Sequence, residues 1–329
     1  MRVATLEHDS ARAVEGALLV DKPPGPTSHD VVAFVRRALK TSRVGHTGTL
    51  DPLATGLLVI LVGQATRMAQ FLAADEKEYL ADVRLGVSTP TYDAASLAEG
   101  VRYPIGDDRY PTDAELDAVL DRFRGSFLQT PPPYSAKKIA SVPAYEKARK
   151  NQPVDLKPVP VTVRALEVLD ASDIGHRVSD IGPRDATLIR LRVAATAGFY
   201  VRSLAHDIGQ ALGCGAHLEA LRRTRVGSFG VERGLTLDRI EAEGAAAVIP
   251  MNTLLGDMPA VQVTAEGSRR AAHGNPLSPG HVAPGPQGGW HPPGKGASHL
   301  YRVLDGEGAL IAVAERRDGG VLHPLVVLR

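Results

Sequence analysis

The chain has 329 residues, of which 43% are hydrophobic and 23% are charged, and its formal net charge is +1. This composition supplies ample apolar surface for a buried core, so it excludes a predominantly disordered protein, and the length predicts about two domains. Only one cysteine, Cys214, is present, which excludes an internal disulfide and a cysteine-built zinc site.

Neither export nor membrane insertion is predicted from the sequence. The longest purely apolar run, at 57–62, is far shorter than the roughly 20 residues that span a bilayer. The first 15 residues include Glu7, Asp9 and Glu15 and no apolar stretch of the secretory kind. We therefore expect a cytoplasmic protein that makes no membrane contact.

The first third of the chain alternates strands and helices. A short apolar strand runs into the turn-rich sequence DKPPGP, after which Thr27 and Asp30 fit a capping box that begins an amphipathic helix. A polar loop then precedes a continuous apolar run, which is typical of a buried strand. The elements predicted here are a strand at 16–20, a helix at 28–40, a strand at 57–62, a helix at 65–74 and a strand at 78–85.

The middle of the chain continues this mixture without a regular repeat of strand, helix and strand. Residues 130–133 include three consecutive prolines and are expected to be extended. The elements predicted here are a helix at 113–123, strands around 159–163 and 189–193, and helices at 200–212 and 216–223. Without a regular βαβ period, the pattern favours the α+β class with a mixed sheet.

The last 80 or so residues differ in composition from the rest. Residues 274–297 hold seven glycines and six prolines in 24 positions, which predicts a flexible insertion. Short β-like runs lie at 260–263, 310–314 and 325–328. We therefore predict one domain at 1–250 and a small β-rich domain at 251–329.

One segment of the chain is strongly basic although the whole chain is nearly neutral. Between Arg122 and Arg164, nine Lys and Arg residues stand against two acidic residues. A local excess of positive charge of this size can bind a polyanion such as nucleic acid. An ordinary solvated charged surface explains the same composition, so both interpretations stay open.

Sequence motifs for nucleotide or metal cofactors are incomplete. Gly289 to Lys295 begins like a phosphate-binding loop, but Gly296 stands where Ser or Thr is required. The 11 histidines form no HExxH pattern. We therefore expect an activity that uses neither cofactor nor metal.

The loop at 45–56 is the strongest candidate for chemistry. Asp51 lies in a polar, glycine-spaced loop directly before the predicted buried strand at 57–62. A carboxylate on a loop that a rigid strand supports is well placed for nucleophilic or acid–base work. An aspartate that only caps a turn is a common alternative.

Five motifs, in order along most of the chain, resemble those of the TruB-type tRNA pseudouridine synthases. The most specific is GHTGTLDPLATGLL at 45–58. The others are DKPPGPTS at 21–28, KEY with LG at 77–79 and 85–86, TPPPYSAKK with YEKAR at 130–138 and 145–149, and GFYVRSL with LRR at 198–204 and 221–223. The C-terminal part is similar, more weakly, to the PUA domain of these enzymes.

The resemblance implies a role for each of seven residues. They are Asp51 as the catalytic carboxylate, Arg202 as its ion-pair partner, Tyr79 as the ring that stacks on the target base and as a candidate general base, His46 as a contact to the substrate loop, Tyr200 and Leu221 as pocket residues, and Lys22 in a structural or electrostatic role. Phe199 departs from the family, in which Thr is common at this position.

The resemblance implies that the protein isomerises uridine 55 in the T-loop of tRNA after this base has flipped out of its stack. No atoms are gained or lost, so no cofactor is required. A monomer that needs no guide RNA is expected, with phosphate contacts from the basic segment and from Arg222, Arg223 and Arg225. Three alternatives stay open: an RNA-binding protein without catalysis, a small-molecule hydrolase and a guide-dependent pseudouridylase.

Overall fold

The structure, a computed structural model, describes residues 14–103, 111–135, 137–139, 142–150, 152, 154–169, 188–284 and 299–328. In this part of the chain the strands are β1 (Gly16–Lys22), β2 (Val44–His46), β3 (Thr55–Val62), β4 (Lys77–Leu85), β5 (Val87–Ser88), β6 (Val101–Arg102), β7 (Gly125–Gln129), β8 (Lys138–Ile139), β9 (Val142–Pro143), β10 (Val159–Leu169), β11 (Leu188–Ala195), β12 (Ala216–Val226), β13 (Phe229–Gly230), β14 (Ile249–Pro250), β15 (Ala260–Gln262), β16 (Leu300–Leu304), β17 (Leu310–Arg316) and β18 (Leu322–Val327). The helices are α1 (Ser28–Ala38), α2 (Ala69–Ala73), α3 (Asp113–Asp121), α4 (Ala144–Arg149), α5 (Val201–Leu212), α6 (Leu237–Glu243) and α7 (Ala265–Ala272).

A ten-stranded mixed sheet forms the centre of the fold. Its strand order is β14-β1-β3-β12-β4-β11-β10-β7, with β13 beside β12 and β2 beside β3. β12 runs parallel to β3 and antiparallel to β4, and the other pairs in the sheet are antiparallel. The predicted α+β class with a mixed sheet is confirmed.

The local signals for α1 and α5 give the expected helices. Thr27 accepts a hydrogen bond from the backbone of Asp30, whose carboxylate accepts from the backbone of Thr27 in return, so the predicted capping box is present. α5 ends at Gly213, which adopts the left-handed conformation (φ +73°) that glycine reaches without steric cost. These two helices lie beside the catalytic motifs that the sequence singles out.

The helix predicted at 216–223 is wrong, because these residues belong to the central strand β12. Its sequence, AHLEALRRTRV, is rich in Ala, Leu, Glu and Arg, which favour helices in isolation. Burial between β3 and β4 overrides this preference, and two register irregularities, at Leu218/Ala220 and Arg223/Arg225, accommodate the strand in the sheet.

The C-terminal part forms a separate four-stranded sheet with the order β15-β16-β17-β18. The predicted β-rich character of this part is confirmed, whereas residues 285–297 of the predicted insertion lie outside the described residues. The domain boundary at 250/251 stays a prediction. One apolar cluster joins the two sheets, with Leu19 and Leu61 of the first sheet packed together with Leu310 and Val313 of the second.

Within the described ranges, no helix is long and apolar enough to cross a membrane.

Candidate active site

The loop between β2 and β3 carries Asp51, and a buried ammonium group at the end of β1 holds one side of this loop. Lys22 is fully buried, and its Nζ donates to the carbonyls of Pro23 at 2.9 Å, Pro52 at 3.3 Å and Ala54 at 2.7 Å. Burial lowers the pKa of Lys22, and the nearby carboxyl of Asp51 opposes this shift. Lys22 therefore fixes the backbone that follows Asp51.

Two more buried polar side chains fix the backbone on both sides of Asp51. The hydroxyl of Ser28 donates to the carbonyl of Leu50 at 2.9 Å and accepts from its N–H at 2.8 Å. Arg223, only 2% exposed, donates from Nη2 to the carbonyl of Gly48 at 3.0 Å and from Nε to that of Leu57 at 2.7 Å. Because each buried donor or acceptor is costly to leave unpaired, the loop has little freedom to move.

The carboxylate of Asp51 meets a two-point guanidinium fork. Arg202 Nε lies 3.0 Å from Asp51 Oδ2, and Arg202 Nη2 donates to Oδ1 at 3.3 Å. The other donors of Arg202 bind the carbonyls of Thr91 at 3.2 Å and Tyr134 at 3.0 Å, and Nη1 lies 3.5 Å from Asp93 Oδ2. The arginine thus sets the orientation of the carboxylate and is itself held by two loops.

The pKa of Asp51 is raised by some of its surroundings and lowered by others. Burial raises the pKa of the Asp51 carboxyl, the Arg202 guanidinium lowers it, Asp93 raises it and Lys22 lowers it. The net direction is upward, so the desolvation of the carboxyl outweighs the opposing charge of Arg202. A raised pKa makes the carboxylate a stronger base than an exposed aspartate.

Tyr79 lies on β4 directly opposite Arg223 of β12. Its ring is buried, and burial raises the pKa of the phenol, while a side-chain hydrogen bond with Arg223 lowers it. The charge of Asp51 adds to the upward shift of the pKa of the phenol. Arg223 therefore contacts both the loop that carries Asp51 and the tyrosine beside it.

Tyr200 precedes α5 and is held by one glutamine. Gln129 Oε1 accepts from the N–H of Tyr200 at 2.8 Å, and Gln129 Nε2 donates to its carbonyl at 3.0 Å. Burial raises the pKa of the Tyr200 phenol, with smaller opposing effects from Ser135 and Arg202. Phe199, which directly precedes Tyr200, is buried in the core, so this position offers an apolar side chain where Thr is common in the family.

His46 and Leu221 complete the predicted set. The ring of His46 on β2 lies edge-on to that of His29, with centroids 5.8 Å apart. Burial lowers the pKa of His46, and the charges of His29 and Arg223 lower it further, which favours a neutral ring at pH 7. Its Nδ1 is buried without a hydrogen-bond partner among the described residues. The side chain of Leu221 packs against two apolar clusters of the first domain. Its carbonyl accepts a hydrogen bond from Thr55 Oγ1 at 3.3 Å.

Comparison with known proteins identifies the family. Residues 36–201 match the TruB family pseudouridylate synthase N-terminal domain, and residues 202–255 match the tRNA pseudouridylate synthase B C-terminal domain. The chain belongs to the TruB family. It is 40% identical over 324 residues to the tRNA pseudouridine synthase B of Solibacter usitatus, covering 96% of this chain and 100% of that one.

Two further comparisons agree. The tRNA pseudouridine synthase B of Thermobifida fusca is 41% identical over 315 residues, which is 95% of this chain and 98% of that one. A chain from the crystal structure of a Cbf5-Nop10-Gar1 complex superposes with a TM-score of 0.65 at 28% identity, covering 95% of this TruB chain and 85% of that one. The family and the enzyme class predicted from the motifs are confirmed.

The structure corrects one of the three predicted phosphate contacts, that of Arg223. The prediction that Arg223 contacts phosphate is wrong, because its guanidinium is buried against backbone carbonyls and Tyr79. Arg222 pairs with Asp21 through two hydrogen bonds of 3.0 and 2.9 Å, and Arg225 Nη2 pairs with Glu76 at 2.9 Å. Their contact with RNA stays a prediction.

Asp93 of this TruB site was not predicted from the sequence, and Arg223 was predicted only as a phosphate contact. Asp93, which faces Arg202, lies in a segment without a recognised motif. Arg223 could have been found by treating 216–226 as a strand, because residues 221 and 223 then share one face and Arg223 accompanies the pocket residue Leu221.

Proposed function

We propose that this TruB enzyme isomerises uridine 55 in the T-loop of tRNA to pseudouridine. The observation that carries the proposal is the Asp51 carboxylate, held by the two-point fork of Arg202 on a loop that buried side chains immobilise, beside the buried ring of Tyr79. The predicted roles of the seven site residues are part of this proposal.

The reaction breaks the N-glycosidic bond, turns the base and joins the sugar to carbon 5 of the same base. The hydrogen on carbon 5 leaves as a proton and the ring nitrogen gains one, so atoms and electrons balance without a cofactor. Asp51 serves each of three routes: attack on C1′, attack on C6, or removal of a sugar proton. Each route needs an oriented carboxylate, which Arg202 provides.

The target base must first leave its stack in the RNA, at a cost of a few kcal/mol. Stacking on the ring of Tyr79 returns about 1–3 kcal/mol per base. Leu221 supplies an apolar wall on the same side of the sheet as the site, and the neutral ring of His46 lies close to where the substrate loop enters. Tyr79 also takes up the proton from carbon 5 in this proposal, after its own phenolic proton has passed to the ring nitrogen that leaves the sugar. Arg223 offsets part of the effect of burial, which disfavours the phenolate.

The enzyme is proposed to act alone, as a monomer in the cytoplasm, and to take tRNA through the T-arm. The relatives at about 40% identity carry the name tRNA pseudouridine synthase B, whereas one structural neighbour is described as an H/ACA RNP bound to a substrate RNA. The catalytic region is proposed to span 1–250, and the PUA-like part at 251–329 to add an RNA contact outside the site.

The test uses the purified full-length chain and an unmodified tRNA transcript labelled with tritium at carbon 5 of uridine. Pseudouridine formation releases the label, and chemical mapping locates the modified position. We expect release without any guide RNA and modification at position 55. A T-arm stem-loop should suffice as substrate, because the folded loop is recognised by shape. Modification elsewhere with position 55 untouched would contradict the substrate assignment.

Asp51→Asn is the decisive variant, because it keeps the size of the side chain and removes its charge. It should abolish tritium release while the equilibrium Kd for tRNA stays within about twofold of the original. Turnover by a clean Asp51→Asn preparation above contamination would refute the role of Asp51.

A further inference from the structure

A ring stack next to the active site has no role in the proposal so far. Tyr92 lies in the loop after β5, and its ring stacks on that of His206 of α5, with centroids 3.8 Å apart and planes 8° apart. The backbone of Tyr92 has a φ of +63°, a left-handed conformation that a bulky side chain rarely adopts. A glycine would relieve this strain, so the ring at this position needs an explanation.

The stack connects the same two elements that Arg202 connects. The residues on either side of Tyr92 bind this arginine: the carbonyl of Thr91 accepts from Nη1 at 3.2 Å, and Asp93 Oδ2 lies 3.5 Å from Nη1. His206 follows Arg202 by four residues in α5, which places the two side chains on one helix face, one turn apart. Loop and helix are therefore joined at two adjacent points.

Other contacts of the loop run to β12 or stay within the loop. The carbonyl of Tyr92 accepts from the N–H of Leu218, which ties the loop to β12. Thr91 Oγ1 donates to Asp93 Oδ1 at 2.6 Å, a contact within the loop. The Nδ1 atom of His206 is buried with no hydrogen-bond partner in the described ranges, so the ring packs through its face.

We propose that the Tyr92–His206 stack is a positioning device that holds the loop against α5 and thereby sets the direction in which Arg202 presents its fork to Asp51. The inference rests on the proposed function, since its consequence is the rate at which a T-loop uridine reacts. In this proposal neither ring contacts the substrate. Small displacements of a catalytic group cost large factors in rate, so a loosened fork should slow chemistry more than it weakens binding.

Four variants separate the ring stack from the backbone strain and from the polar atoms. His206→Phe and Tyr92→Phe keep two stacked rings, whereas His206→Ala removes one. Tyr92→Gly removes the ring and relieves the backbone strain at once. Gln210→Ala, an exposed change one turn further along α5, is the matched control for helix stability.

The measurements are the single-turnover rate on a T-arm stem-loop and the equilibrium Kd for the same RNA. We expect His206→Ala and Tyr92→Gly to slow turnover by about tenfold or more with Kd changed by less than about twofold, and the two Phe variants to stay within about threefold. Equal rates for His206→Ala and His206→Phe would overturn the inference. So would equal losses in rate and affinity.

The pH profile supplies a readout that a purely structural role would not move. The groups that face Asp51 from the surrounding elements are Arg202 from α5, Lys22 from β1, Asp93 from the loop, Tyr79 from β4 and Tyr200 before α5. If the fork loosens, Asp51 loses the cation that lowers its pKa most, so the acid limb of the rate should shift to higher pH in His206→Ala and stay in place in His206→Phe. An unshifted limb in both variants would count against the inference.

One measurement is independent of activity. The Nε–H of Arg202, which faces Asp51, should give a slowly exchanging NMR signal in the free enzyme and in His206→Phe, and a fast-exchanging one in His206→Ala. If the original enzyme releases no tritium, the proposed function is refuted. The NMR signal of Arg202 still tests whether the Tyr92–His206 stack positions this side chain. An unchanged signal in His206→Ala would overturn it.

Discussion

The loop that carries Asp51 and the C-terminal sheet are attached to the rest of the fold by different kinds of contact. Lys22, Ser28 and Arg223 hold the loop through buried hydrogen bonds to its backbone. Leu310 and Val313 hold the C-terminal sheet through an apolar cluster. Hydrogen bonds fix direction and distance, whereas apolar burial is non-directional. The position of the catalytic loop is thus set by polar contacts, whereas the C-terminal sheet is attached by apolar ones.

Among the variants that test the polar contacts of the site, we expect the largest loss of rate from removal of the Tyr79 hydroxyl. Tyr79→Phe keeps the ring that stacks on the base and removes the group that contacts Arg223. If that group takes up the proton from carbon 5, the single-turnover rate should fall by about 10²–10⁴, the usual contribution of a general base. The Kd for tRNA should not change.

Tyr79→Leu separates the two functions of this side chain. It removes the stacking as well, so it should also weaken binding by about 1–3 kcal/mol. A Tyr79→Phe variant that turns over normally would restrict Tyr79 to stacking.

Arg202→Lys tests whether the fork or the charge matters. The lysine keeps a positive charge but loses the planar two-point contact to Asp51, so it is not a conservative change. We expect the single-turnover rate to fall by about a hundredfold with little change in Kd, because orientation of the carboxylate is lost. An equal loss of rate and affinity would indicate that Arg202 contacts phosphate.

A smaller effect on the rate, with a clear effect on stability, is expected from Arg223. Arg223→Met keeps most of the side-chain volume and leaves the carbonyls of Gly48 and Leu57 without their donor. Each unpaired group costs about 1–3 kcal/mol of the free energy of unfolding, measured by urea denaturation. The rate should fall by about tenfold, because the loop then gains freedom.

The neighbouring residue is the matched control for Arg223→Met. The side chain of Arg222 is 40% exposed and pairs with Asp21, so Arg222→Ala should cost no more than about 1 kcal/mol of stability. Similar stability losses for the two variants would contradict the difference between the buried and the surface arginine.

The parts of the structure that could be predicted from the sequence depend on contacts close together in the chain. The capping box of Thr27 and Asp30 fixes the start of α1 because both partners lie within four residues. The environment of Arg223 could not be predicted, because it is assembled from Gly48, Leu57 and Tyr79, which are distant in the chain. The same distance explains the false helix at 216–223, whose strand partners lie elsewhere.

The predicted catalytic residues were recognised by motif and not by physical pattern. Asp51 and Arg202 are 151 residues apart, and no periodicity relates them. Asp93 was missed because its contact with Arg202 depends on the left-handed turn at Tyr92, which nothing in the local sequence signals. Irregular loops that converge on one side chain are the part of a site that only the fold reveals.

The smallest effect on the rate is expected from the apolar attachment of the C-terminal sheet. Leu310 and Ile311 are adjacent and buried on β17, but they belong to different clusters: Leu310 packs toward the first sheet, and Ile311 into the core of its own sheet. Leu310→Ala and Ile311→Ala should each lower the free energy of unfolding by about 2–5 kcal/mol in urea denaturation. Because neither change touches a hydrogen bond that positions Asp51, both should leave the single-turnover rate on a T-arm stem-loop within about twofold wherever the protein is folded. A tenfold slower rate in folded Leu310→Ala, with Ile311→Ala unaffected, would show that the apolar contact also sets the geometry of the site, and the division between polar positioning and apolar attachment would then have to be given up.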